Sequence, residues 1–88
     1  LDPPRPNPSN AGAVIAYHLP EAGPVRIEVR DLLGQVVRTL ARRHQQAGSH
    51  RVAWDGRDDA GQQAASGVYL VRLQAGGRLR IGKVAVVR

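Results

Sequence analysis

Residues 24–41 read PVRIEVRDLLGQVVRTLA, and this stretch decides the fold class. Val25, Ile27 and Val29 alternate with Arg26, Glu28 and Arg30. Successive side chains of a strand point to opposite faces, so the alternation describes a strand with one face buried and one in water. Asp31 to Gly34 follows with the composition of a tight turn, and Gln35 to Ala41 returns as the partner strand. Together they form a β-hairpin.

The same grammar extends outward. Val14 to Leu19 reads as a strand that ends at Pro20 in LPEAGP, a segment rich in turn residues. Arg42 to Ser49 is polar and contains Gly48, which predicts a connection crossing from one sheet to another. Val52 and Trp54 share a face, and DGRDDAG (residues 55–61) concentrates Asp and Gly as turns do. Gly67 opens a strand from Val68 to Gln74. Gly76-Gly77 is a two-residue hairpin loop leading to Leu79–Val87, with Gly82 expected at a bulge. Short strands spaced by turns, without an amphipathic helix, predict an all-β, two-sheet antiparallel sandwich of about seven strands.

The first ten residues hold four of the six prolines, so residues 1–10 are expected to be a linker or a late-starting first strand, and residues 11–88 the single sandwich domain. A chain of 88 residues supports one thin core. Phe, Met and Cys are absent, so Val, Leu, Ile and Ala must pack around Trp54, Tyr17 and Tyr69. The missing Met predicts an excised or processed piece of a longer protein. If that protein is exported, its export signal is expected outside this stretch. No run approaches the ~18 apolar residues of a membrane-spanning helix.

The formal charge of +6 predicts attraction to anionic surfaces such as phospholipid headgroups or anionic lipopolysaccharide. The basic residues are mostly Arg and spread along the chain, which reads as a solvated surface. Nucleic acid is not expected as a partner. Three aromatic residues cannot both build the core and stack bases, and no helix reads as a major-groove element.

Candidate chemistry resolves into structural roles. Trp54, in phase with Val52, reads as a core residue rather than a sugar-stacking platform. Asp55, Asp58 and Asp59 lack the alternate-position oxygens of a calcium loop, since Arg57 interrupts them, and read as turn formers. His18, His44 and His50 do not share a spacing that would converge them on a metal. Ser9, Ser49 and Ser66 lack a nucleophile elbow, and without Cys there is neither disulfide nor thiol nucleophile. The expectation is a domain with no catalytic residues, no metal and no cofactor.

Taken in order, PNPSN, YHLPEAGPVRIEVRDLLGQVVRTL, AGSHRVAWDGRDDAGQQAASGVYLVRLQAGG and the terminal KVAVVR resemble the C-terminal sorting domains of the type IX secretion system. They are equally similar to the immunoglobulin-like domain of flagellar hook-capping proteins. The resemblance runs from Pro6 to Arg88 and implies an immunoglobulin-like sandwich. It also implies a secreted or cell-surface bacterial protein, exported by way of the periplasm, in which this domain is read by the outer-membrane secretion machinery and the cargo is joined to anionic lipopolysaccharide. Carried over by residue, the sorting-signal candidates are Gly67, Val68, Tyr69, Lys83, Val84, Val86 and Arg88. The hook-capping resemblance implies the alternative of a structural spacer or assembly module.

Overall fold

In the computed structural model, which describes residues 1–7 and 12–88, six strands are named: β1 (Ala13–Leu19), β2 (Gly23–Arg30), β3 (Val36–Gln45), β4 (Gly48–Trp54), β5 (Gly67–Ala75) and β6 (Arg78–Val86). β1 pairs with β4 in one sheet, and a second sheet runs β3-β2-β5-β6. Every ladder is antiparallel. The all-β sandwich of immunoglobulin-like type is therefore present.

The core lies between the two sheets. Ala13, Ile15, Tyr17 and Leu19 face in from β1, with Trp54 opposite Ala13 on β4. Val25, Ile27 and Val29 of β2, Tyr69, Val71 and Leu73 of β5, and Val84 and Val86 of β6 meet them. Each set keeps the period of two predicted for a half-buried strand.

β3 departs from that period. Its register against β2 slips between Ile27 and Glu28 and again between Val29 and Arg30, so that Leu40 and Val37 have no partner. The sequence explains both slips, because it presents two apolar doublets, Val36-Val37 and Leu40-Ala41. A bulge lets an extra residue turn inward, and Val37 and Leu40 both pack against the core.

Two expectations change. Arg42 to Ser49 is not a long connection: Arg42, Arg43 and His44 extend β3 against Arg26, Val25 and Pro24, and only residues 46–47 cross to the other sheet. Gly82 is not at a bulge, since it pairs in regular register with Val71. A Cβ there would stand 3.4 Å from both Leu1 and Pro4, so this glycine makes room for the N-terminal segment. The strand count is six among the described residues. Residues 55–66 contribute one bridge, Arg57 with Gln63, and the N-terminal residues contribute one, Arg5 with Val14.

The expected boundary between residues 10 and 11 lies outside the described residues. Residues 1–7 run along the free edge of β1, where the Asp2 amide donates to the Ala16 carbonyl at 2.9 Å and Arg5 and Val14 exchange bonds of 3.1 and 2.7 Å. Gly12 follows at φ 137° under the Trp54 carbonyl, which a Cβ would strike. Gly76 and Gly77, at φ 57° and 72°, supply the left-handed pair that a type I′ hairpin needs.

Trp54 is 2% exposed, packs edge-on against Tyr69 with ring centroids 5.4 Å apart, and donates Nε1 to the Arg57 carbonyl at 2.9 Å. Trp54→Ala should cost about 3 to 5 kcal/mol, as large aromatic deletions from cores do. Urea denaturation should therefore show a strongly lowered midpoint, and a midpoint near the parent's would place Trp54 outside the core.

Candidate functional site

β5 and β6 bring the sorting-signal candidates together. The register sets Gly67 opposite Val86, Val68 opposite Ala85, Tyr69 opposite Val84, and Leu70 opposite Lys83. Their environments then divide them. Tyr69, Val84 and Val86 are buried in the core, whereas Gly67, Val68 and Lys83 are exposed. The Tyr69 hydroxyl donates to the Ala65 carbonyl at 2.6 Å, so its ring and its polar end both have structural partners.

Arg88, another of the sorting-signal candidates, is tied into the fold. Its Nε donates to the Ala64 carbonyl at 2.7 Å and its Nη2 to the Gly56 carbonyl at 2.9 Å, while its backbone amide donates to Ser66 Oγ at 3.0 Å. The guanidinium thus fastens the end of the chain to the loop between β4 and β5. Lys83, also exposed, has no such side-chain bond to the fold among the described residues.

The edge of β6 is also occupied at Lys83 and Ala85. Asn7 Nδ2 donates to the Lys83 carbonyl at 3.0 Å, and Asn7 Oδ1 accepts from the Ala85 amide at 2.9 Å. A carboxamide is a peptide group in miniature, so this one side chain makes the pair of bonds that a parallel strand would make to residues i and i+2. The opposite edge of the sheet is treated alike. The Asp59 amide donates to the Val37 carbonyl at 2.9 Å and Asp59 Oδ1 accepts from the Thr39 amide at 3.0 Å. Sheet edges left open invite pairing with other chains, and here one residue occupies two backbone groups on each edge.

The Asp-rich loop is built for that task. Asp55 Oδ1 accepts from the Arg57 amide, and Asp58 Oδ1 accepts from the amides of Ala60 and Gln62, which makes them turn formers. Arg38 reaches from β3 to Asp55 at 3.1 Å and to Asp59 at 3.8 Å. Among the described residues no group of three or more His, Cys, Asp or Glu could hold a metal ion. His50 stacks on Tyr17 and its Nε2 lies 2.7 Å from the Gln46 carbonyl, while His18 and His44 are exposed. Ser66 is engaged by Arg88, Ser49 is exposed on β4, and Ser9 lies outside the described residues.

Sequence reasoning missed Asn7, Arg38 and Asp59 as edge residues. PNPSN marks a constrained segment, but nothing local says that its Asn reaches a strand 76 residues away. Two outcomes test this assignment. Asn7→Ala should leave the circular dichroism spectrum unchanged and raise self-association in concentration-dependent light scattering, and unaltered association would show that the Asn7 contact does not protect the edge. A chelator should leave the thermal midpoint in place, because the loop carboxylates already accept backbone bonds.

The FlgD Ig-like domain family matches residues 8–78, a range that includes Gly67–Tyr69 and stops before Lys83. No curated protein matches the sequence. Among solved structures, the chain is similar to PorZ, described as an essential bacterial surface component of the type-IX secretion system of Porphyromonas gingivalis. The TM-score is 0.69 at 23% identity, over 97% of this chain and 11% of PorZ. It is also similar to FlgD from P. aeruginosa, with a TM-score of 0.59 at 26% identity, over 83% of this chain and 58% of that one. The chain thus spans about a tenth of the first protein and less than two thirds of the second. With the sandwich, its register and the family match in agreement, the chain belongs to the FlgD Ig-like domain family.

Proposed function

We propose that this domain is a non-catalytic, C-terminal secretion-sorting and cell-surface attachment domain of a larger secreted bacterial protein, read by an outer-membrane translocon. The observation that carries the reading is the β5–β6 ladder, which joins Gly67-Val68-Tyr69 and Lys83 to Val86 into one end of one hairpin. The two motifs lie side by side on consecutive strands, with Tyr69, Val84 and Val86 buried in the core and Val68 and Lys83 exposed. The fold likeness to a domain-sized part of a type IX surface component supports it. On this reading the parent protein passes through the periplasm to the cell surface or medium, and its partners are the outer-membrane secretion machinery and anionic lipopolysaccharide. No helix among the described residues is long and apolar enough to cross a membrane.

The sandwich as a whole is the signal, because the recognition elements are inseparable from its core. Val84 and Val86 are buried, and Arg88 closes the loop beneath them, so the terminal strand exists only in the folded domain. A structural spacer or assembly module of the hook-capping type is the second reading, favoured by the family match over residues 8–78.

The test is a periplasmically exported reporter fused to residues 1–88 in a host with a type IX system. The fusion should reach the surface or medium. Lys83→Ala, a change at an exposed side chain expected to alter stability within about 0.5 kcal/mol, should reduce delivery while the protein stays folded. Removing Lys83 to Arg88 should abolish both folding and delivery, since it strips two core valines. A folded full fusion retained in the periplasm would favour the spacer.

A further inference from the structure

The strands sort charges that the sequence scatters. β2 starts, β3 ends and β5 turns into β6 at one end of the four-stranded sheet, and the register brings Arg26 directly opposite Arg42 there. On its other side Arg26 faces Gln74. These residues, with Arg43 and His44, line a shallow groove of about 490 Å³ at this end of the sheet. Acids gather at the other end of the sheet, where Asp31, Asp55, Asp58 and Asp59 sit in the turns and Arg38 takes two of them. Glu28, two residues along β2 from Arg26, is held by Arg30 at 2.9 Å.

Directly opposed residues on antiparallel strands have Cβ atoms about 4.5 to 5.5 Å apart, and like charges so placed destabilise the sheet. The ion pairs among the described residues involve Arg30 and Arg38, not Arg26 or Arg42. The Arg26 and Arg42 side chains therefore start from directly opposed positions at the margin of a concave surface, and no ion pair among the described residues engages either of them. Each offers planar forked donors suited to oxyanions. A carboxylate has one charge and one plane and would satisfy one fork. A phosphate group carries about −1.5 to −2 at neutral pH and three acceptor oxygens, enough for both forks and for the Gln74 amide.

We propose that this groove is a binding site for a phosphate-bearing anion, held between Arg26 and Arg42. The site is at the opposite end of the sheet from Arg88 and does not rest on the sorting reading. Its ligand is defined by the phosphate group, whether that group is free or displayed on a lipid headgroup.

The test is a titration of the isotopically labelled 88-residue chain followed by NMR. Inorganic phosphate is added at constant ionic strength against a chloride control. Saturable shifts confined to Arg26, Arg42 and Gln74 are expected, with affinity at least tenfold weaker in Arg26→Gln/Arg42→Gln. Arg78→Gln/Arg80→Gln removes the same charge from a neighbouring strand and should bind phosphate as the parent does. Equal loss in both double variants, or equal shifts with chloride, would reduce the effect to net charge and overturn the proposal. Co-sedimentation with phosphatidylcholine vesicles containing phosphatidic acid separates the two sources. Binding that depends on Arg26 and Arg42 places the phosphate on a lipid, whereas phosphate binding without it places the ligand in solution. Failure of both arms overturns the site. If the Gln pair unfolds the chain, Arg26→Lys, which keeps the charge and loses the fork, supplies the same comparison.

Discussion

The indole of Trp54 lies between the sheets, edge-on to Tyr69, with its Nε1 bound to the Arg57 carbonyl, and the longest loop depends on these contacts. Tyr69 ties the far side of that loop through the Ala65 carbonyl. Two of the three aromatic residues thus fill the core with their rings and hold the loop with their polar ends. In a domain this small the core has little surplus, so one large side chain that serves both purposes sets how the rest is arranged. The backbone passing over Trp54 has to be Gly12, because a Cβ would strike its carbonyl.

Once held, the loop does two things for the four-stranded sheet. It presents Asp59 to the edge of β3 and offers the Ala64 and Gly56 carbonyls to Arg88. The first blocks an edge, and the second fixes the end of the chain. Asn7 blocks the other edge from the opposite terminus, using only its side chain. An open sandwich has unavoidable edges, and these single polar residues occupy edge groups that would otherwise be open to other chains. Any partner that reads β6 by strand addition at Lys83 and Ala85 has to displace Asn7 first, which makes side-chain recognition on the outer face the more accessible route.

That outer face is not uniform. Ile81 and Leu79 are exposed on β6, and Leu32 and Leu33, 68% and 85% exposed, form the tip of the β2–β3 hairpin. The tip is rigidly built: Asp31 Oδ1 accepts from the amides of Leu33 and Gln35, and Arg30 donates to the Gly34 carbonyl. Basic groups collect at the far end of the sheet and paired acids at this one. The described residues thus present chemically different surfaces at the two ends of one sheet.

Much of the fold was legible in the sequence because it is written in local patterns. The alternation of Val25, Ile27 and Val29, the Asp31–Gly34 turn, the Gly76-Gly77 loop and the phase of Trp54 with Val52 each follow from the pleat of a strand or the dihedral needs of a turn. The β3 bulges were present as the doublets Val36-Val37 and Leu40-Ala41, yet the polar run after Ala41 read as a connection. Edge strands can carry charge on both faces, so polarity alone does not end them. Of the candidate site, the sequence marked Gly67 to Tyr69 and Lys83 to Arg88 but not their pairing, nor that Arg88 would be used internally. The sequence by itself determined an all-β fold through these local patterns, a core role for Trp54 and a positive charge. Tertiary structure alone decided which edges are covered, where Asn7 and Asp59 act, and that Arg26 meets Arg42, because those contacts join residues whose separation along the chain carries no local signal until the strands are in register.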